Sequence, residues 1–137
     1  MISTCQKKSK GKKFMNKRDP KLTALQFNEY INNQDAKGLS SLMAENFWVK
    51  VKKESVWVRD MINGWKRFFN DHPTYKNIFT RVESRENLVI LMGYALWSKD
   101  SKEEDHCIWI TTIENDLLVN WRLYEDTEDN RKKLNIT

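Results

Sequence analysis

The chain has 137 residues, 39% of them hydrophobic, and six tryptophans, which is enough for one domain with a sizeable core. It contains no apolar run long enough to span a bilayer, and its first 20 residues lack the apolar centre of a signal peptide. Cys5 and Cys107 lie far apart in the sequence, so we expect no structural disulfide. These features predict a cytoplasmic protein with one folded domain and no transmembrane segment.

The net charge of +5 is concentrated near the N-terminus, because residues 1–21 carry a balance of +7 and the remainder carries −2. This pattern predicts a basic, flexible tail over residues 1–20 and a folded domain over residues 21–137. Residues 1–18 can bind nucleic acid or an anionic membrane through counterion release, although such arms are more often simply solvated. If the true N-terminus lay upstream of Cys5, "ISTC" would fit a lipid-anchored protein instead.

Three helices are expected before the main run of strands. Asp19 followed by proline is typical of a helix start, and an apolar stripe continues over residues 20–33. Asp35 is suited to cap a second helix over residues 36–44. A third helix is expected over residues 59–70, where the apolar residues fall on one face.

Alternation of apolar and polar residues predicts the strands. The segment "FWVKVKK" is the first, and a polar interruption separates it from the third helix. Further strands are predicted over 76–83, 88–98, 106–114 and 117–125, followed by a short helix capped at Asp126-Thr127. Helices followed by a run of antiparallel strands indicate an α+β domain with its helices on one sheet face.

The element order resembles the cone-shaped fold of nuclear transport factor 2, ketosteroid isomerases and SnoaL-like polyketide cyclases. The segment "YINNQDAKGLSSLMAENFWV" resembles the opening of these proteins, and "IENDLLVNWRLYEDT" resembles their closing hairpin. The resemblance covers about residues 22–134. It implies three N-terminal helices packed on a curved antiparallel or mixed sheet, a pocket between them, and frequent dimerisation through the outer sheet face. The family includes isomerases, dehydratases, hydrolases and non-catalytic binding proteins, so the fold alone cannot choose a function.

The last hairpin allows the two sheet faces to be predicted. A two-residue turn at Asn115-Asp116 pairs Glu114 with Leu117 and fixes every later pair. The pairs expected on the helix side are Thr112 with Val119, Ile110 with Trp121, Ile108 with Leu123, and His106 with Glu125. An odd-length loop or a β-bulge would invert this assignment.

This register predicts a pocket between the sheet and the helices. Its expected lining residues are Phe27, Val49, Val51, Trp65, Phe69, Ile108, Ile110, Trp121 and Leu123. The opposite face, with Trp109, Arg122 and Tyr124, is the expected surface of a homodimer.

His106 and Glu125 are the candidate catalytic pair on this register. A histidine and a carboxylate at the end of an apolar pocket can act as general acid and base, since contact with a carboxylate raises the pKa of a histidine and desolvation raises that of a glutamate. The alternative is a solvent-exposed cross-strand ion pair that contributes little.

Three acid or base positions implied by the resemblance are apolar in this sequence. In ketosteroid isomerases the first helix supplies a tyrosine and the first strand an aspartate; the matching positions here are Phe27 and Val51. In epoxide hydrolases of the limonene type, an aspartate follows the arginine of the last strand, where this chain has Leu123. These departures argue against both mechanisms and favour an apolar cavity.

The sequence therefore favours a protein that binds a small apolar organic molecule, with no cofactor and no metal. An isomerase, dehydratase or hydrolase that uses His106 and Glu125 is the alternative. The third hypothesis is polyanion binding through the basic tail.

Overall fold

The computed structural model describes residues 18–51, 60–98 and 104–137, and the backbone of residues 54–56. Most of the predicted basic tail lies outside the described residues, as does Cys5, where the lipid-anchor alternative would apply. The tail and its polyanion binding remain predictions.

The described residues form four helices: α1 (Pro20–Asn32), α2 (Ala36–Leu42), α3 (Met61–Asp71) and α4 (Glu128–Lys133). The predicted caps of α1 and α2 are confirmed, since the Asp19 carboxylate accepts from the Lys21 backbone N–H at 3.0 Å and Asp35 accepts from that of Gly38 at 2.9 Å. The second helix ends two residues earlier than predicted, because Met43 is already extended. Each aspartate satisfies a backbone donor that the first helical turn leaves unpaired.

The strands are β1 (Met43–Val51), β2 (Glu54–Val56), β3 (Lys76–Arg85), β4 (Leu88–Leu96), β5 (Asp105–Glu114) and β6 (Leu117–Glu125). They form one sheet in the order β2-β1-β6-β5-β4-β3. β1 runs parallel to β6, and the other pairs are antiparallel. The three-residue β2 was not predicted, because it is too short to show an alternating pattern.

A β-bulge corrects the predicted register of the last hairpin. Glu114 pairs with Leu117 as predicted, but Ile110 pairs with Arg122 rather than with Trp121. Three residues of β6 oppose two residues of β5 at this point, so β6 carries one extra residue. Every predicted pair beyond the bulge is therefore wrong by one position.

The two sheet faces bury separate apolar clusters. The helix side holds the larger cluster, in which β5 contributes Cys107 and Trp109 and β6 contributes Trp121. The outer side holds a smaller cluster. It contains Ile90, Met92, Ile108, Ile110 and Ile136. Ile136 follows α4, so the C-terminal segment covers part of the outer face.

The C-terminal helix is held at its start by two side chains with different roles. Thr127 caps α4 by accepting from the Asn130 backbone N–H at 3.1 Å. Asp126 instead accepts two hydrogen bonds from the Arg131 guanidinium, at 2.6 and 2.9 Å. Of the two residues predicted to cap this helix, Thr127 is the cap, whereas Asp126 forms an ion pair with Arg131. Among the described residues, no helix is long and apolar enough to cross a membrane.

We predict opposite effects of alanine at two glycines. A Cβ at Gly93 would overlap the carbonyl oxygen of Ile78 on the neighbouring strand, whereas a Cβ at Gly64 in α3 meets no atom within 4 Å. Gly93→Ala should therefore lower the free energy of unfolding by about 2 kcal/mol or more, because the strands must separate. Gly64→Ala should raise it by up to about 1 kcal/mol through helix propensity. Urea unfolding measures both, and a neutral Gly93→Ala would contradict the close approach of β3 to β4.

Candidate ligand-binding cavity

A cavity of about 290 Å³ lies between the helix side of the sheet and helices α1 and α3. Strands β1, β3, β5 and β6 form its floor, and α3 forms its roof. Its lining residues are Ile31, Val49, Lys50, Val51, Met61, Gly64, Trp65, Arg67, Phe68, Tyr75, Asn77, Trp97, Trp109, Trp121 and Leu123. Six of these side chains are aromatic, so the walls are mainly flat apolar surfaces.

The cavity has an open end and a closed end. Val51 is 45% exposed and Trp97 is 37% exposed, and Arg67 is also exposed, so these three residues mark the mouth. Ile31, Asn77 and Trp109 are almost fully buried and belong to the closed end. The Lys50 ammonium lies 5.2 Å from the centre of the Tyr124 ring, on the outer side of the sheet, so its charge is directed away from the cavity.

Aromatic rings from α3 and the strands pack together beside the mouth. The Tyr75 ring lies 5.0 Å from that of Phe68 and 4.8 Å from that of Trp97, both in edge-to-face geometry. His72 contacts both Phe68 and Trp97 at 5.1 Å between ring centres. The indole N–H of Trp97 donates to the Asp105 carboxylate at 3.1 Å, which fixes the ring that borders the opening. Such contacts add to the energy of burial and keep the wall rigid.

Asparagines connect the closed end to α1. Asn28 and Asn32 are four residues apart, so both project from one face of the helix. The Asn32 side chain accepts from the Asn77 backbone N–H at 2.8 Å and donates to its carbonyl at 2.9 Å. The Asn77 side-chain amide donates to Asn28 Oδ1 at 3.1 Å. These contacts hold the first residues of β3 against the helix.

The remaining amide oxygen of Asn77 has no hydrogen-bond partner among the described residues, although it is fully buried. Asn28 donates weakly to the Asn77 carbonyl at 3.5 Å, so Asn28 Oδ1 must be the acceptor of the pair and Asn77 must present its nitrogen to it. This arrangement leaves Asn77 Oδ1 as an unpaired acceptor. The indole N–H of Trp65 is also a buried donor without a partner among the same residues.

The Tyr75 hydroxyl remains protonated well above the pH at which a tyrosine ordinarily ionises, because its pKa is raised. Burial raises the pKa of its hydroxyl, and the nearby Cys107 and Asp105 raise it further when they are charged. A protonated phenol is a neutral hydrogen-bond donor. The cavity wall therefore carries polar groups without carrying a buried charge at Tyr75.

The predicted pocket residues divide into three groups. Val49, Val51, Trp65, Trp121 and Leu123 line the cavity. Phe27 and Phe69 lie behind the lining, where Phe27 contacts Trp121 at 4.9 Å and Phe69 stacks on Trp65 at 5.9 Å between ring centres. Ile108 and Ile110 lie on the outer face, because the bulge in β6 reverses the predicted assignment of β5.

His106 and Glu125 do not form the predicted cross-strand pair. Glu125 pairs with Cys107, whereas His106 lies opposite Tyr94 on the other neighbouring strand. The His106 side chain is 57% exposed and lies 3.2 Å from the Glu104 carboxylate. The predicted general acid and base pair is therefore not assembled at the cavity.

The predicted dimer surface also changes. Arg122 and Tyr124 lie on the outer face, as predicted, and both are half-buried. Trp109 is 1% exposed and lines the cavity on the helix side, so it cannot belong to an outer surface. Its ring packs against that of Phe79 at 5.0 Å.

The polar residues of the closed end were missed at the sequence level. Asn28 and Asn32 share a helix face with the buried Ala24 and Ile31, which is an available signal, because polar residues on an apolar stripe need a partner. Asn77 has no comparable signal. Its role depends on contacts between residues 45 or more positions apart.

No protein-family model matches the chain, and no curated protein matches it. The chain does match solved structures. An epoxide hydrolase of the LEH-like type from M. tuberculosis superposes with a TM-score of 0.70 at 13% identity, over 84% of this chain and 88% of that one. An NTF2-like protein of unknown function from Cytophaga hutchinsonii gives a TM-score of 0.65 at 13% identity, over 90% and 97%. A proposed SnoaL-like polyketide cyclase from Shewanella putrefaciens gives 0.67 at 11% identity, over 85% of each chain.

The chain has the NTF2-like fold. At these identities the likeness concerns the fold alone, and the similar proteins differ in the activities attributed to them. The acid and base positions that the family resemblance implies are apolar in this structure too: Phe27 is buried in the core, and Val51 and Leu123 line the cavity.

We predict that Tyr75 makes the folded state sensitive to alkali. Because the folded pKa lies above the unfolded value of about 10, the linked stability is complete below that pH and declines as the pH rises towards the folded pKa. The wild type should lose up to about 1.4 kcal/mol per pH unit more than Tyr75→Phe over this range. Denaturant unfolding at several pH values measures the difference, with Tyr94→Phe as a control for loss of a phenol outside the cavity. Equal slopes for wild type and Tyr75→Phe would contradict the burial of the hydroxyl.

Proposed function

We propose that this protein binds a small, mainly apolar organic molecule in the cavity between α3 and the sheet. The observation that carries the proposal is the cavity itself, with six aromatic side chains in its walls and an opening beside Trp97. Concave apolar pockets with a few oriented polar groups are the usual form of small-molecule sites. The NTF2-like fold supports this reading, since it places such a space between helices and sheet.

The cavity volume indicates the size of the ligand. A dry apolar cavity of about 150 Å³ accommodates benzene. The volume of about 290 Å³ is close to twice that, which corresponds to a molecule of roughly two fused rings. The aromatic walls favour flat ligands, because offset and edge-to-face contacts add to the free energy gained from burial.

Binding is favoured over the enzymatic alternative. The lining among the described residues contains no carboxylate and no histidine. His106 and Glu125, which the alternative requires, are not cross-strand partners, and His106 faces solvent on the outer side of the sheet. A general acid or base must reach its substrate within hydrogen-bond distance.

We predict that filling the cavity from Gly64 abolishes binding without unfolding the protein. Gly64 lines the cavity, and a side chain there enters open space. Gly64→Leu should therefore remove the thermal stabilisation that naphthalene gives the wild type, while the helix is itself stabilised by up to about 1 kcal/mol. In the wild type, naphthalene at 100 times its dissociation constant should raise the free energy of unfolding by about 2.7 kcal/mol.

Lys66→Leu is the matched control, because Lys66 is exposed on the same helix and lies outside the cavity lining. It should keep the full response to naphthalene. An unchanged response in Gly64→Leu would show that the ligand binds elsewhere. No response in the wild type to naphthalene or to any other bicyclic compound would contradict the proposed function.

The proposal includes a homodimer formed through the outer sheet face around Arg122 and Tyr124. Arg122 and Tyr124 are both half-buried in the described chain, so each keeps accessible surface that a partner chain could cover. The C-terminal segment around Ile136 covers part of the same face, so the interface would include it.

We predict that Arg122→Glu converts the dimer into a monomer, because the reversed charge repels acceptors placed for a guanidinium. Sedimentation velocity at micromolar concentration measures the change, and Lys66→Glu on α3 is a matched charge reversal that should leave the dimer intact. A monomeric wild type would contradict this part of the proposal and would leave ligand binding unaffected.

A further inference from the structure

One basic residue borders the mouth of the cavity and is accessible from outside. Arg67 belongs to the lining and is exposed, and a long basic side chain keeps its charged end in water while its stem lies along apolar surface. Lys50 is the other basic residue of the lining, but its ammonium lies over the Tyr124 ring on the outer side of the sheet. The positive charge available to a molecule in the cavity is therefore that of Arg67.

Arg67 has no acidic partner in the described part of the chain, where it forms neither an ion pair nor a hydrogen bond. Asp71 lies one turn further along α3, at a spacing that allows an ion pair, but it forms none with Arg67. Asp105 is the carboxylate nearest the other side of the mouth, where it accepts from the Trp97 indole N–H and is not part of the lining. The donors of the Arg67 guanidinium are thus available to an anion that arrives with a ligand.

The space next to Arg67 on the helix is open. Gly64 lies one helical turn before Arg67, on a neighbouring part of the helix surface, and both residues line the cavity. Apart from the residues beside it in the chain, no side chain lies within 4 Å of the position that a Cβ would occupy at Gly64. The side chain of Arg67 is therefore not folded over this gap. A ligand in the cavity can extend past Gly64 towards Arg67 without displacing a side chain.

We infer that the ligand is an aromatic carboxylate, whose rings occupy the cavity and whose carboxylate binds the Arg67 guanidinium at the mouth. The inference rests on the proposed function, because it names the chemical class of the molecule bound in the same cavity. A planar guanidinium matches a carboxylate through two parallel hydrogen bonds. The described lining residues include no carboxylate that would repel an anion. Because Arg67 is exposed, the charged group stays in contact with water, and binding does not require the burial of an unpaired charge.

Three related compounds separate the charge from the ring system. 2-Naphthoate carries a carboxylate, 2-naphthamide is its neutral counterpart of nearly equal size, and naphthalene has no polar group. Calorimetric titration of the wild type in about 0.01 M salt should give a dissociation constant for 2-naphthoate about 3- to 5-fold lower than for 2-naphthamide, as expected for a solvent-exposed ion pair of good geometry. In about 1 M salt this ratio should fall to within about twofold, because salt screens exposed charges. This comparison needs no variant and does not depend on the folding of one.

Arg67→Gln tests the assignment of the cation. It removes a charge from an exposed residue, so the protein should fold normally and bind naphthalene as before, while the preference for 2-naphthoate over 2-naphthamide falls to within about twofold. Arg67→Lys keeps the charge without the planar fork and should retain part of the preference. Lys66→Gln is the matched control: it removes the same charge from the adjacent exposed residue, which lies outside the lining, and it should keep the full preference.

The possible results distinguish the two proposals. Equal affinity of the wild type for 2-naphthoate and 2-naphthamide, with naphthalene still bound, would overturn the inference and leave the proposed function in place. A preference for 2-naphthoate that survives in Arg67→Gln, or that Lys66→Gln reduces equally, would overturn the role of Arg67. If none of the three compounds binds the wild type, the proposed function itself is wrong.

Discussion

One extra residue in β6 decides which side chains of the last two strands face the helices. It lies between Leu118 and Arg122, and buried hydrogen bonds hold it in place. Thr111 donates to the Asn120 carbonyl at 2.6 Å, and the Asn120 side chain accepts from the Thr112 backbone N–H at 3.1 Å. Because side chains alternate along a strand, this residue lets Trp109 and Leu123 share the helix side. The floor of the cavity exists in its present form for that reason.

The cavity combines apolar walls with a polar closed end, and the two parts have different origins. The walls follow from ordinary burial of aromatic residues on α3 and on the helix side of the sheet. The closed end depends on three asparagines that join α1 to the start of β3. Buried polar networks are favourable only when every member is satisfied, and here one acceptor of Asn77 is buried without a partner among the described residues.

Local signals in the sequence predicted most of the fold. Asp19 and Asp35 cap their helices by contacts within three residues, and a two-residue turn joins Glu114 to Leu117, so short stretches of sequence specify both features. The bulge was not predictable in this way. Asn120 forms hydrogen bonds to the neighbouring strand at this point, but in the sequence it looks like an ordinary polar residue in an alternating pattern. The residues of β5 that were assigned through this register were therefore predicted on the wrong face of the sheet. Ile108 and Ile110 lie outside the pocket, and Trp109 lines it.

The pairing of β5 with β6 is the point on which the cavity depends, and nuclear magnetic resonance measures it most directly. Cross-strand contacts between backbone protons should place Trp109 opposite Leu123 and Ile110 opposite Arg122. Contacts that placed Ile110 opposite Trp121 and Ile108 opposite Leu123 would describe a regular hairpin without the bulge. In that case Trp109 would face outward, and the cavity and its proposed ligand would have to be abandoned.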